Sequence, residues 1–200
     1  MKLSELKEMA VRNPLGFDLT QDQWDNEIEN YKNSKELKQI NVNKFIKQVK
    51  MDDQDIYSLW VDDVIVSYAK FDKIKINGQS INNFLFTASN PSLNKKGYAT
   101  ELIWELHLTL NDDIYIGGVV SSKGEKLITG LVKMYQKIRS SEPPLINYVT
   151  GEKEPYNFSK FISKPKLGIL LEDCCFFEAY KEITSKKFWL NDNVDLEGYP

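Results

Sequence analysis

The sequence predicts a mixed α/β (α+β) domain with a central mixed sheet: an antiparallel meander that feeds a strand–loop–helix–strand–helix unit. Three observations predict it. Ile56-Tyr-Ser-Leu-Trp-Val61 and Val64-Ile-Val-Ser-Tyr-Ala-Lys-Phe71 are β-branched and aromatic runs parted by Asp62-Asp63, a hairpin signal. Asn77-Gly78 marks a second turn, before a third strand over Ile81 to Ala88. The pattern then switches to helical spacing, returns to a strand at Ile114-Tyr-Ile-Gly-Gly-Val-Val120, and becomes helical again through Leu127, Ile128, Leu131, Val132 and Tyr135.

Residues 1–52 read as a helical N-terminal extension packed on the core. Ser4 is a candidate cap for a first helix, and Asn13-Pro14 separates it from a second. Thr20-Gln-Asp-Gln23 is a capping-box pattern ahead of Trp24, Ile28 and Tyr31, which share one helical face. Phe45, Ile46 and Val49, with lysines between, suggest a third helix that ends near Met51. The core spans 53–140: the meander, a loop at 89–96, a helix at about 97–110, the strand at 114–120 and a helix capped by Ser121 or Ser122. Its strand–loop–helix–strand part is expected to be a right-handed crossover between parallel neighbours. Residues 141–200 are expected to complete the sheet irregularly. Pro143-Pro144 breaks the chain, Leu145 to Val149 suits a strand, and Asp173 suits the cap of a helix with Phe176, Phe177, Tyr180 and Ile183. Phe188-Trp-Leu190 suits a last strand, and the acidic end from Asn191 reads as loose.

Composition narrows the function classes. With Lys+Arg 26 against Asp+Glu 29, the net charge of -3 gives no basic excess, so nucleic acid is not an expected partner. No apolar run has the length to span a bilayer, and Met1-Lys-Leu-Ser-Glu-Leu-Lys-Glu lacks the apolar centre of a signal peptide, which points to a cytoplasmic protein. The cysteines, Cys174 and Cys175, are adjacent; they suit buried free thiols rather than a bridge or a four-ligand zinc site. Arg12 and Arg139 are the only arginines. The lysine bias, with many Asn and Ile, fits an AT-rich bacterial or bacteriophage genome.

The stretch Ser89-Asn-Pro-Ser-Leu-Asn-Lys-Lys-Gly-Tyr-Ala-Thr-Glu-Leu-Ile103 joins the third strand to the apolar helix. A short glycine-containing loop there exposes free N–H groups at the positive end of a helix dipole, a site for phosphate or diphosphate. Lys95 and Lys96 add charge, while Gly97 and Ala99 leave room for close approach. A plain lysine-rich turn leading into a core helix is the other reading of the same residues. The segment resembles the acyl-CoA loop of the GNAT acyltransferase superfamily, Arg/Gln-x-x-Gly-x-Gly/Ala after a Val-x-Pro-x-Tyr-like lead-in. Pro91, Gly97 and Ala99 match; Ser89 stands for the usual Val, Leu93 for the aromatic and Asn94 for the Arg/Gln. Strand–loop–helix context is what gives such a motif its weight.

The resemblance covers roughly residues 54–139 and implies transfer of an acetyl group from acetyl-CoA, as cosubstrate, to an amine of a small molecule or protein. It assigns Asn94, Lys95, Lys96, Gly97, Tyr98, Ala99 and Thr100 to the cosubstrate. It gives the Ser89 backbone N–H the task of polarising the thioester carbonyl, and it implies a cleft for the pantetheine arm between the 81–89 and 114–120 strands. Gly117 and Gly118 suit either close approach by a ligand or a β-bulge. Tyr135, 38 residues after Gly97, is the candidate acid for the departing thiolate, with a core tyrosine as the alternative; Ile128 stands where an Asn is often found, and no Gly-Phe follows. His107 lies between leucines and suits a structural role, and Asp62, Asp63, Asp112 and Asp113 are undifferentiated candidate bases. Trp24, Trp60 and Tyr68 suit core packing or an acceptor site. An alternative to the enzyme is an inactive GNAT-like interaction module, such as a virus-encoded accessory protein.

Overall fold

The computed structural model describes residues 19–93, 96–110, 112–118 and 122–172. Helix α1 (Gln21–Glu29) begins at the expected capping box. Thr20 Oγ1 accepts from the Gln23 N–H at 3.3 Å, and Gln23 Oε1 accepts from the Thr20 N–H at 2.9 Å. Trp24 on this helix is fully buried, its ring 5.5 Å from that of Tyr68.

The helical expectation fails over Lys35 to Met51. Strands β1 (Lys35–Asn41) and β2 (Lys44–Met51) form a hairpin that extends the sheet. Phe45 and Val49 pack against the cluster around Trp24, whereas Ile46 is buried in the cluster on the other side. Their true period is therefore two, not 3.6. Asn41 Oδ1 accepts from the Asn43 N–H at 3.0 Å and builds the turn between the strands.

The meander continues as β3 (Gln54–Val61), β4 (Val64–Ile76) and β5 (Gln79–Ser89), each antiparallel to the strand before it. Asp62 and Asp63 stand at φ 49° and 63°, and Asn77-Gly78 at 50° and 81°. These are the left-handed pairs that two-residue hairpin turns require. A short 3₁₀ turn at Pro91–Leu93 follows, then α2 (Tyr98–Leu110), β6 (Ile114–Ile116) and α3 (Ser122–Arg139). β6 is parallel to β5, as expected of a crossover.

The C-terminal part holds β7 (Leu145–Asn147), β8 (Lys153–Glu154), α4 (Phe158–Ser163) and β9 (Leu167–Leu171). The sheet has nine strands in the order β1-β2-β3-β4-β5-β6-β9-β7-β8. The sequence reading missed β9, which inserts between β6 and β7 and is antiparallel to both. Leu167-Gly-Ile-Leu-Leu171 is a continuous apolar run, the form taken by a strand buried on both faces. Gly168 makes the insertion possible. A Cβ there would lie 2.2 Å from the Tyr115 ring and 2.7 Å from the Ile116 carbonyl oxygen.

Helices α2 and α3 cover one face of the sheet: Leu102, Ile103, Leu106, Ile128 and Leu131 pack with Leu59, Val66, Phe71, Ile114 and Ile116. α1 covers the other face, where Trp24 and Tyr31 pack with Ile56, Trp60 and Tyr68. No helix among the described residues is long and apolar enough to cross a membrane. The readings placed on Ser4, Asn13-Pro14, Asn94, Lys95, Val119 to Ser121, Asp173, the two cysteines and everything after them lie outside the described residues.

Candidate functional site

The site begins with a break in a ladder. β4 and β5 pair in register from Ile76↔Gln79 to Phe71↔Phe84, then shift, so that the next pair is Lys70↔Phe86. Leu85 is the extra residue, a β-bulge, and is 41% exposed. A bulge bends its strand and increases the local twist. On the other edge of β5 the pairing with β6 stops at the same place: Asn82↔Ile114, Asn83↔Tyr115 and Phe84↔Ile116 are the pairs among the described residues. β5 runs on through Ser89, yet among the described residues no strand flanks Leu85 to Ser89 on the β6 side. Among the described residues the two parallel strands therefore part here, which leaves a candidate cleft between their ends.

Backbone direction in that cleft follows from the ladder. The Asn90 N–H donates to the Val66 carbonyl at 2.9 Å, so it points toward β4. Successive N–H groups of a strand point to opposite edges, which turns the Ser89 N–H away from β4 and toward the opening. Thr87, two residues back, has the same orientation.

The loop then turns through Asn90, whose Oδ1 accepts from the Ser92 N–H at 3.0 Å and from Ser92 Oγ at 2.6 Å. Lys96 and Gly97 are exposed. Gly97 sits at φ 71°, where a side chain is disfavoured, and a Cβ placed on it would meet no atom of the described residues within 4 Å. The first helical bond of α2 runs from the Glu101 N–H to the Gly97 carbonyl at 3.0 Å, so the N–H groups of Tyr98, Ala99 and Thr100 have no acceptor within the helix. Gly130 lets α3 press on this turn, since a Cβ there would stand 3.1 Å from Thr100 Cγ2.

A carboxylate shares the turn. Glu101 is nearly buried and forms an ion pair with Lys44 of β2 at 2.7 Å. Burial raises its pKa, and the Lys44 ammonium opposes that rise. Lys44 Nζ also lies 5.9 Å from the centre of the Tyr98 ring. One turn on, Glu105 pairs with Lys38 of β1 at 2.7 Å. These two ion pairs tie the first hairpin to α2 and hold the start of that helix in place.

Of the sequence candidates, the structure brings Ser89, Gly97, Tyr98, Ala99 and Thr100 to the two ends of one connection. Gly117 and Gly118 follow β6 directly. The β6 pairs before them run without a shift, and among the described residues a Cβ on Gly118 would meet nothing within 4 Å.

Tyr135 is not brought to the cleft. Its hydroxyl donates to Glu172 Oε2 at 3.4 Å, and its ring lies 5.6 Å from the Arg139 guanidinium. Glu172 follows Leu171, which pairs with Ile114, at the end of β6 opposite Gly117. Tyr135 also lies about 20 Å along α3 from its start. The side chain is 2% exposed, part of the core with Ile128 and Leu131.

His107 is buried 5.4 Å from the Trp104 ring, with no partner for Nδ1 among the described residues. Burial, with the Arg139 charge, pulls its pKa down to about 4. Asp112 bonds Lys73 at 3.0 Å and Asn82 Nδ2 at 3.4 Å, again at the far end of β6. Asp62 and Asp63 form a turn, and Trp24, Trp60 and Tyr68 are core. A separate cavity of 410 Å³ lies between α1 and the β2–β3 turn, lined by Glu27, Tyr31, Asp52, Asp53 and Lys70, and takes in no residue of the loop.

Sequence reasoning missed the bulge at Leu85 and the Asn90 turn. A bulge is defined by the partner strand, and nothing in Asn82-Asn-Phe-Leu-Phe86 announces one. Asn90-Pro91 was a readable turn signal.

No family model matches the chain, and no curated protein matches it. Among solved structures it is similar to Arabidopsis thaliana Naa50 in complex with the bisubstrate analogue CoA-Ac-MVNAL. The identity is 12%, over 85% of this chain and 92% of that chain, with a TM-score of 0.33. A likeness at that level carries no argument about this chain's activity.

Proposed function

We propose that the chain is a GNAT-like acyltransferase that moves an acetyl group from acetyl-CoA to an amine of a small molecule or protein. The observation that carries this reading is the parting of β5 from β6 after Phe84↔Ile116, with the extension of β5 followed by the Gly97 turn and by the start of α2, whose first N–H groups have no acceptor within the helix. An extended amide-bearing chain fits along an unpaired strand edge, and a diphosphate fits a helix start that offers N–H groups.

Acetyl-CoA supplies an acyl group activated as a thioester; transfer forms a C–N bond, breaks the C–S bond and passes the amine's proton to the departing thiolate. In this reading the N–H groups of Tyr98, Ala99 and Thr100, with Lys96, hold the diphosphate. Asn94 and Lys95 belong to the same loop. The open space at Gly97 and Gly118 admits the ligand beside the backbone. The Ser89 N–H faces the charge that develops on the carbonyl oxygen, and a fixed donor is effective because it does not reorganise. Tyr135 has no role in this scheme, and water is the route for the proton.

A second reading, an acyl-CoA-binding module without transfer chemistry, is favoured by one observation: the tyrosine on α3 is held by Glu172 away from the cleft. Calorimetry with acetyl-CoA tests both readings, since absence of binding rejects each of them. Release of free thiol from acetyl-CoA in the presence of amines then supports the enzyme, and binding without release supports the module.

A further inference from the structure

Ser67 is a fully buried hydroxyl in the middle of an apolar strand, where Ala or Val would pack at no polar cost. Its Oγ donates to the Ala88 carbonyl oxygen at 2.8 Å. It also receives the Ser89 hydroxyl at 3.4 Å, across the Ser67↔Ser89 pair. The Ala88 carbonyl and the Ser89 N–H belong to one planar peptide group, and in a trans peptide they point in opposite directions. A bond that fixes the carbonyl against β4 therefore fixes the N–H toward the cleft. It also polarises the group, because a peptide whose oxygen accepts a hydrogen bond donates more strongly from its nitrogen.

We infer that Ser67 is a positioning residue for acyl transfer: through the Ala88 carbonyl it aims and strengthens the Ser89 N–H at the carbonyl of a bound thioester. This rests on the acyltransferase reading. Ser67 touches no substrate. It sits on β4, behind the peptide that does. Ser89 Oγ bonds back to Ser67, so its side chain serves the same orientation and leaves the nucleophile's role to the acceptor.

Loss of a whole oxyanion donor costs about 10²–10³ in kcat, and one supporting bond changes a donor by roughly 10–30%, so Ser67→Ala is expected to lower kcat roughly two- to eightfold. KM and the dissociation constant for acetyl-CoA should stay near wild type. Ser67→Thr, which keeps the hydroxyl, should restore most of the rate. The direct readout is the infrared carbonyl stretch of acetyl-CoA carrying ¹³C at the thioester. Bound to wild type it should shift to lower frequency than in water, and bound to Ser67→Ala it should shift less. Equal shifts and equal kcat in wild type and Ser67→Ala overturn the role of Ser67 and leave the acyltransferase reading intact. Failure of the wild-type protein to bind acetyl-CoA overturns that reading and the role of Ser67 with it. An unfolded Ser67→Ala leaves the comparison to Ser67→Cys, whose weak donor is expected to give an intermediate stretch; a stretch equal to wild type there overturns the inference.

Discussion

Replacing Gly97 by Gln and by Glu separates backbone strain from charge at the loop. Gly97 stands at φ 71°, so either side chain adds the left-handed penalty, about 1–2 kcal/mol. A Cβ there meets nothing within 4 Å among the described residues, which therefore add no steric term. Both variants should therefore fold, with a Tm lower by about 2–8 °C for a chain of this size. They differ in one negative charge. Beside a phosphate at about 4 Å that charge contributes about 1 kcal/mol in bulk water and about 4 kcal/mol at the effective dielectric near a protein surface. The expected result is weaker acetyl-CoA binding by Glu than by Gln, by roughly 5- to 1000-fold. The gap should narrow as salt rises, since the Debye length shrinks to about 3 Å at 1 M. Calorimetry at two ionic strengths measures it, with dephospho-CoA and pantetheine as ligands that subtract phosphate groups. Equal dissociation constants for wild type, Gln and Glu, in proteins that remain folded, would refute diphosphate binding at the start of α2.

Gly168→Ala should be among the most damaging small substitutions in the chain, because its methyl would meet the Tyr115 ring at 2.2 Å and the Ile116 carbonyl at 2.7 Å; a loss of about 3 kcal/mol or more in denaturant unfolding is expected. Tyr135→Phe should leave turnover within roughly twofold of wild type and change only stability, by about 1 kcal/mol, since its hydroxyl bonds Glu172 at the far end of β6; a hundredfold fall in kcat would return the tyrosine to the mechanism. His107 is neutral when folded, with its pKa near 4 and an unfolded value near 6.5. Between those values the unfolded chain holds the extra proton, so stability falls as pH drops from about 6.5 to about 4, by at most about 3 kcal/mol. His107→Phe should flatten that part of the difference curve in urea unfolding at stepped pH, and an unchanged slope would refute the assignment.

The turns were the most legible part of the sequence. Asp62-Asp63 and Asn77-Gly78 each require two left-handed residues, a condition few residue types meet, and so fixed the meander before any packing was known. Thr20 and Gln23 announced α1 in the same local way. Lys35 to Met51 misled because three apolar residues fit two periods, and the neighbouring β3, not propensity, decided between them. Of the candidate site, the strand, the loop glycine and the helix start were readable because they are consecutive. Tyr135 was not, because a separation of 38 residues fixes neither where α3 starts nor which end of β6 the side chain reaches. Ser67 looked like an ordinary strand residue, since its bond to Ala88 depends on the β4–β5 register.

The place of β9 in the sheet sets a schedule for synthesis. β6 is made more than fifty residues before its outer neighbour. Until Leu167 to Leu171 leave the ribosome, the far edge of β6 and the facing edge of β7 carry unsatisfied ladder groups. A nascent chain stopped before Leu167 is thus an adhesive half-sheet, and the non-local closure that ends this state is the slow kind of contact to form. Chaperone demand during translation should accordingly peak after α3 emerges and end once β9 is in place.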